Sequence, residues 1–295
     1  MTKQPSTLLA ALWMAASVLS LLLMAVSGRA LTHTLDVLQV MEMRSLTGLV
    51  MLSPLIWMEG GLRAMRTRHL GRHIGRNVAH YLGQAGWLFS LTLIPLAQVI
   101  SIEFTTPIWT AVFAALFLGE RLTKARGAAI ALGIIGVVII MRPSANSIEL
   151  GHVVMLATAV VFGISFVTTK ALTRTESAVR IMFWMLVLQS IFGLIPAIVV
   201  WRPVPHDLVP WVLLIAFSGS FSHYCMARAL AHADATVVMP MDFIRLPLSA
   251  VLGWLLYNEA IDIYTALGAA FILSGNLLNI NRKRQRPADP ATELP

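Results

Sequence analysis

The stretches EFTTPIWT (103–110) and DFIRLPLS (242–249) lie 139 residues apart and decide how this chain is organised. Each begins with an acidic residue and Phe inside an apolar run, and carries polar side chains three and seven positions later. The two polar sets are Glu103, Thr106 and Thr110, and Asp242, Arg245 and Ser249. Because residues at i, i+3 and i+7 share one face of a helix, each stretch predicts a polar helical stripe. The recurrence predicts a duplicated unit.

Further matches support the duplication. Glu120 follows the first stretch as Glu259 follows the second, and a shift of 141 residues places Arg29 on Lys170. The predicted divisions are a first repeat at 1–145, a second repeat at 146–282 and a disordered cytoplasmic tail at 283–295.

The composition excludes a soluble protein. Hydrophobic residues form 57% of the 295 residues and charged residues only 12%, against roughly 25% charged in a soluble domain. A bilayer-crossing helix uses ~20 apolar residues. The ten predicted spans are 8–28, 36–58, 75–95, 97–118, 125–141, 151–172, 180–201, 209–230, 236–257 and 263–281. The first resembles a secretory signal, but its apolar core of about 19 residues exceeds the usual ~7–15, so we predict an uncleaved span.

The cations predict the topology. With ten spans, 17 of the 22 Lys and Arg residues fall on the side of the N-terminus and 3 on the opposite side. The positive-inside rule then places both termini in the cytoplasm. Since five spans per repeat is an odd number, the second repeat enters the membrane inverted. Inverted repeats are a common build of secondary transporters, with the binding site between the repeats.

Ionisable residues within spans are costly and usually face a cavity or a partner. Glu103 and Asp242 are predicted to couple charge or to bind a cationic substrate, and Arg44 and Arg245 to bind a carboxylate or to form gate ion pairs. From ~1.5 Å per residue, the two carboxylates are expected about 9 Å from opposite ends of their spans, on opposite sides of the midplane.

Alternatives remain open for these charges. Asp242 and Arg245 can simply neutralise each other at i, i+3. Arg44 can pair with Glu103. Glu42 lies two residues from Arg44 and points to nearly the opposite face, so only one of them readily faces the cavity, and we favour Arg44.

Other polar and aromatic residues are expected to shape the pocket. Gln84 falls on His223 at the 139-residue shift, and Tyr81, Trp87 and Tyr224 lie near them. Amide, imidazole and aromatic groups suit an organic substrate with polar and flat apolar parts. A packing hydrogen bond is the alternative for Gln84, and a satisfied interior histidine for His223. The polar stripes add Thr106 and Ser249 to the predicted wall.

The remaining patterns argue against other functions. We find no phosphate loop, nucleotide fingerprint, zinc spacing or nucleophile elbow, so no enzyme, ATP-driven pump, cofactor or metal is predicted. His69 and His73 lie four apart in a basic loop without a carboxylate partner and are expected to be solvated. The net charge of +8 resides mainly in loops, so the predicted partners are a small-molecule substrate and the lipid bilayer, with no nucleic acid. Glycines such as Gly136 and Gly275 in spans 5 and 10 predict close helix packing, with a homodimer contact as the alternative.

Several motifs resemble the EamA-type branch of the drug/metabolite transporter superfamily. They are PLA (95–97), FTTP (104–107), AALFLGER (114–121), GIIGVVIIMRP (133–143), ARAL (227–230) and LGWLLYNE (252–259). Residues 90–107 and Met43-Arg44-Ser45 look most like the S-adenosylmethionine carriers of that superfamily. One departure is Leu246, which stands where the first repeat has Pro107.

This resemblance implies an all-α membrane protein with two inverted five-helix repeats. Spans 1–4 and 6–9 would surround a central cavity, and spans 5 and 10 would lie at the periphery. It also implies alternating-access transport of a small organic metabolite, such as an amino acid or a nucleoside-like compound, across a bacterial inner membrane by exchange or proton coupling. The alternatives are a lipid flippase or scramblase, which predicts a lateral groove, and an intramembrane enzyme or receptor.

Overall fold

The computed structural model describes residues 7–118, 124–141, 149–173, 175–230, 232–233, 238, 241–260 and 262–281. Within these ranges the chain is helical and contains no strand. The α-helices are α1 (Thr7–Thr32), α2 (Val37–Met58), α3 (Leu70–Leu93), α4 (Leu96–Glu103), α5 (Thr106–Leu118), α6 (Lys124–Met141), α7 (Leu150–Leu172), α8 (Ala178–Val199), α9 (Val209–Leu230), α10 (Arg245–Tyr257) and α11 (Ile263–Asn281). Short 3₁₀ helices, His206–Leu208 and Asp242–Ile244, precede α9 and α10.

Local sequence explains several helix ends. The Asp36 carboxylate accepts a hydrogen bond from the backbone N–H two residues later and begins α2, and Ser177 caps α8 in a similar way. Two glycines with positive φ, Gly60 and Gly61, follow α2, and Asn258 ends α10 in the left-handed conformation.

The exterior is apolar, as a bilayer requires. Trp57, Val50, Ile195 and Val199 are among the large apolar side chains that are mostly exposed. Five described segments are long and apolar enough to cross a membrane, namely Thr7–Thr32, Leu96–Phe113, Leu150–Leu172, Ala178–Val199 and His206–Met226. The chain is therefore an integral membrane protein, and the count of ten spans stays a prediction.

Helices of the two halves pack against each other in a reciprocal pattern. α1 packs along α9, and α3 packs along α7. Further inter-half pairs are α2 with α8, α4 with α10, and α6 with α11. If each helix is replaced by its equivalent in the other half, the first two pairings convert into each other. The other three pairings are unchanged. The interface between the halves is thus what a duplicated unit would form.

The predicted fourth span is interrupted at its centre. α4 ends at Glu103 and α5 begins at Thr106, so the acidic–Phe pair lies at the break. Pro107 lacks an N–H and leaves the Glu103 carbonyl without its usual helical donor. In the second half the equivalent Asp242 begins a 3₁₀ turn before α10. Both polar stripes therefore start at an irregularity in the backbone.

Glycines bring α6 and α11 into close contact within one chain. A Cβ added to Gly136 would lie 2.5 Å from the Gly268 carbonyl oxygen, and a Cβ on Gly268 would lie equally close to the Gly136 carbonyl. These two glycines are thus part of the intrachain packing, as predicted, and the alternative of a homodimer contact is untested.

Candidate functional site

A cavity of about 640 Å³ lies between the two halves, within the roughly 300–1,000 Å³ typical of sites for small organic ligands. Its wall includes several aromatic rings, namely Trp87, Phe104, Phe162, Phe166 and Phe243. Eight predicted site residues lie in the wall: Arg44, Gln84, Trp87, Glu103, Thr106, His223, Asp242 and Arg245. The two halves contribute to one shared cavity, with flat apolar surfaces and a small set of charges.

Arg245 joins the two predicted carboxylates. Its Nη1 donates to Glu103 Oε1 at 2.9 Å, and its Nη2 donates to Asp242 Oδ2 at 3.5 Å. The second oxygen of Glu103 accepts from the Trp87 indole N–H at 2.8 Å. Both acids reach one guanidinium and therefore lie close together, and their position relative to the midplane stays a prediction. Glu103 pairs with Arg245, so the alternative pairing with Arg44 is wrong.

The break between α4 and α5 explains this proximity. It brings the acidic–Phe pair of the first half against its copy, and the rings of Phe104 and Phe243 meet edge to face with centroids 5.5 Å apart. The guanidinium of Arg245 lies 4.8 Å from the centre of the Phe104 ring. Asn276 donates to the Phe104 carbonyl at 2.8 Å and so satisfies a backbone acceptor at the break.

Arg44 lies in a different setting. Its Nη2 donates to the side-chain oxygens of Gln84 and of Gln189, the latter at 2.9 Å. Among the described residues no carboxylate pairs with it. Gln189 was missed by the sequence reasoning, although an amide in the apolar run 180–201 is the same kind of signal that selected Gln84.

Glu42 and Tyr81 lie outside the cavity wall. Both pack against Gly193 of α8, where an added Cβ would lie 2.6 Å from Glu42 Oε2 and 3.1 Å from the Tyr81 hydroxyl. Tyr81 also packs edge-on against Phe192. The choice of Arg44 over Glu42 as the cavity residue agrees with this geometry, whereas Tyr81 does not shape the pocket directly.

Tyr224 and Ser249 are also absent from the wall. Tyr224 is 46% exposed and packs against Phe221 and Trp13. Ser249 is buried and donates to the Leu246 carbonyl of its own helix at 2.7 Å. Neither side chain reaches the cavity, although the sequence predicts both in its wall.

Two histidines line the cavity in different ways. His223 is exposed towards it. His80 is buried, with its Nδ1 at 3.3 Å from the Ser165 hydroxyl. A neutral imidazole has one donor and one acceptor nitrogen, so each histidine can form hydrogen bonds beside the aromatic rings of the wall.

A group of contacts, which we call the end clasp, ties α1, α4 and α10 together. Arg29 forms an ion pair with Glu259, and the second oxygen of Glu259 accepts from the backbone N–H of Leu96 at 2.9 Å. The Arg29 guanidinium also lies 4.3 Å from the centre of the Tyr257 ring. Leu31, beside the clasp on α1, is fully buried. These contacts therefore join the first half of the chain to the second half.

The repeat places counterparts of the clasp pair elsewhere. Lys170, the counterpart of Arg29, lines the cavity near the end of α7. Glu120, the counterpart of Glu259, lies outside the described residues.

A second ionic cluster joins the segment before α3 to the start of α8. Glu176 accepts hydrogen bonds from the Thr67 hydroxyl and from Arg180 Nη1 at 2.7 Å. Burial would raise the pKa of Glu176, but these two hydrogen bonds and the Arg180 charge hold it below its ordinary value.

His73 lies next to this cluster. It is fully buried, and its Nε2 is 3.9 Å from Glu176. The expectation of a solvated loop histidine without a carboxylate partner is therefore wrong for His73, because α3 begins at Leu70 and turns this residue inward. In the described part of the chain, no three His, Cys, Asp or Glu side chains form a group that could hold a metal ion.

The EamA-like transporter family model matches this chain twice, at residues 8–142 and 149–281. A riboflavin transporter of Rhizobium johnstonii is 36% identical over 232 residues, covering 78% of this chain and 77% of that protein. A riboflavin transporter of Brucella anthropi is 32% identical, covering 78% of this chain and 82% of that protein. An S-adenosylmethionine uptake transporter of Rickettsia prowazekii is 23% identical, covering 76% of each chain.

The fold is also found among solved structures. A crystal structure of another protein superposes with a TM-score of 0.63 at 18% identity, covering 94% of this chain and 99% of the other. Likeness at this level of identity concerns the arrangement of helices alone.

Proposed function

Because the chain belongs to the EamA-like transporter family, we propose that it is a secondary carrier of a small, flat heteroaromatic metabolite that resembles riboflavin. The observation that carries the proposal is the shared cavity. Both family repeats contribute to it, and its wall combines aromatic rings with a few buried charges. A family of transporters also argues against an enzymatic role.

The substrate class follows from the wall and from the relatives. Relatives named riboflavin transporters are 29–36% identical to this chain, and those named for S-adenosylmethionine are 22–24% identical. Trp87, Phe162 and Phe166 offer faces on which a flat ring can lie. Both wall carboxylates contact Arg245, so they are less available to a cation than the sequence suggested.

Alternating access is the mechanism that the architecture supports. The pairings between the halves are reciprocal, as an inverted repeat of two five-span units would produce. The end clasp joins the two halves through the Arg29–Glu259 ion pair, and Lys170 stands in the wall at the position related to Arg29 by the repeat. We propose ten spans with both termini in the cytoplasm, repeats at 1–145 and 146–282, and residence in a bacterial inner membrane.

The direct test is counterflow in proteoliposomes. The purified full chain is reconstituted with unlabelled riboflavin inside, and the uptake of labelled riboflavin is measured with and without a pH gradient. Saturable uptake that requires internal riboflavin indicates exchange, and stimulation by the gradient indicates proton coupling. Parallel samples contain S-adenosylmethionine or an amino acid in place of riboflavin.

A matched pair of variants controls for the cavity. Thr110→Trp fills the wall of the cavity and should abolish counterflow, whereas Thr92→Trp adds the same ring to the exposed end of α3 and should not. Counterflow of S-adenosylmethionine without any of riboflavin would contradict the proposed substrate class. Equal uptake by both Trp variants would contradict the assignment of this cavity as the transport site.

A further inference from the structure

We infer that Arg44 and Gln84 form a donor-only subsite that binds ring carbonyl oxygens of the substrate and selects neutral or anionic rings over cationic ones. The inference rests on the proposed function and adds the chemical rule by which the cavity chooses among flat molecules.

The first step is the hydrogen bonding of Arg44. Its side chain is more than nine-tenths buried and lies in the cavity wall, yet only its Nη2 makes hydrogen bonds to described residues. The Nη1 group lies 3.9 Å from the position of a Cβ on Gly219, where the absence of a side chain leaves it open. A guanidinium with an open Nη1 can donate to a ligand.

The second step concerns the two amides. A guanidinium has donors and no acceptor, so Gln84 and Gln189 must each turn the side-chain oxygen towards Arg44. Their amide nitrogens therefore point elsewhere. The Gln189 nitrogen is buried without a partner, and Gln84 stands in the cavity wall. Gln84 thus adds N–H donors to the one offered by Arg44.

The third step concerns the two carboxylates of the wall. One oxygen of Glu103 accepts from Arg245 and the other accepts from Trp87. Asp242 has one oxygen on Arg245, and its second oxygen is buried without a partner. Strong donors are therefore open at Arg44 and Gln84, while three of the four carboxylate oxygens already accept hydrogen bonds and the fourth is buried.

The consequence is selection by both charge and hydrogen bonding. Arg44 is held by neutral amides and contributes a net positive charge, and like charges disfavour each other most strongly where water is scarce. A cationic ring would meet this charge without an open carboxylate. A ring with carbonyl oxygens in its plane would supply the acceptors that Arg44 and Gln84 lack, while its faces lie against the aromatic wall.

The experiment compares three flat tricyclic probes on the purified full chain in nanodiscs. Lumichrome carries two ring carbonyls, phenazine has none, and N-methylphenazinium is a cation. Equilibrium dialysis gives the dissociation constant of each probe. The expected order of affinity for the unmodified protein is lumichrome, then phenazine, then N-methylphenazinium.

Two variants test the assigned residues. Arg44→Gln should weaken lumichrome binding about 10- to 100-fold, the size of a lost charge-assisted hydrogen bond, with little change for phenazine. Gln84→Glu keeps the size of the side chain and gives Arg44 a carboxylate partner, so it should weaken lumichrome binding and strengthen binding of the cation. Arg76→Gln is the matched control, because Arg76 is equally buried but bonds to Thr169 and Asn77 outside the cavity wall.

The outcomes separate this inference from the proposed function. If riboflavin counterflow occurs but Arg44→Gln binds lumichrome normally, or loses both neutral probes equally, the subsite is overturned and the carrier function stands. If the unmodified protein prefers the cation, the charge rule is overturned. If no flat probe binds and riboflavin is not transported, the proposed function fails and the subsite fails with it.

Discussion

Two arginines face the same cavity in opposite electrostatic settings. Arg245 contacts two carboxylates, one from each half of the chain, and lies over an aromatic ring. Arg44 contacts two neutral amides. The first arrangement pairs the cation with acids of both halves and connects them, whereas the second leaves a cation open to a ligand. Burial of a charged residue alone therefore does not distinguish a structural ion pair from a binding group.

The largest effect is expected at the paired arginine. Arg245→Gln leaves Glu103 and Asp242 without a cation, and removing one partner of a buried ionic group destabilises a protein by about 3–5 kcal/mol. This change is measured by thermal unfolding of the purified protein. Unfolding is monitored as the loss of monodisperse material. The triple variant with Glu103→Gln and Asp242→Asn should recover most of the loss. A triple variant no more stable than Arg245→Gln would show that the guanidinium acts mainly by packing.

A smaller loss of stability is expected at the amide-held arginine. Arg44→Gln removes a charge without leaving an opposite charge behind, and its new amide can still bond to Gln84 or Gln189. We expect destabilisation of about 0.5–1.5 kcal/mol, the net worth of an ordinary hydrogen bond, in the same thermal assay. A loss of stability as large as that of Arg245→Gln would contradict the difference between the two settings. It would show that Arg44 is also structural.

The end clasp offers a single ion pair, whereas the central guanidinium contacts two carboxylates. The side chains of Arg29 and Glu259 are 16% and 11% exposed, so water partly screens their attraction. A double-mutant cycle with Arg29→Gln and Glu259→Gln should give a coupling free energy of about 1 kcal/mol or less. The same variants should also alter the rate of riboflavin counterflow, because the clasp joins the two halves, which move relative to each other in alternating access. Unchanged rates in both single variants would contradict a role of the clasp in transport.

The smallest effect is expected at Glu176, a carboxylate bound to an arginine outside the cavity. Because its pKa is lowered on folding, its contribution to stability is present above its unfolded value of 4.5 and is lost as the pH falls through the lower folded value. Glu176→Gln should therefore reduce the melting temperature slightly at neutral pH, and the gap to the unmodified protein should shrink on acidification below pH 4.5. A gap independent of pH would mean that the contribution is not ionic.

The sequence predicted much of the architecture. The repeated acidic–Phe stretch, the apolar composition and the family motifs led to a duplicated membrane transporter, and the family matches to both halves agree with that reading. Polarity within apolar runs selected eight residues of the cavity wall. It failed for Tyr81, Tyr224 and Ser249, because periodicity fixes a broad face of a helix and does not fix which neighbour covers that face.

The sequence pattern and the packing of the helices thus determine different features of this protein. Hydrophobicity and the 139-residue recurrence are properties of single segments and their copies, so the chain alone established helices, duplication and the identity of most polar groups in the interior. Which acid meets which base depends on how distant helices approach each other. The backbone break beside Pro107 brought Glu103 onto Arg245 and left Arg44 to the glutamines, and this arrangement could emerge only from the folded assembly of both halves.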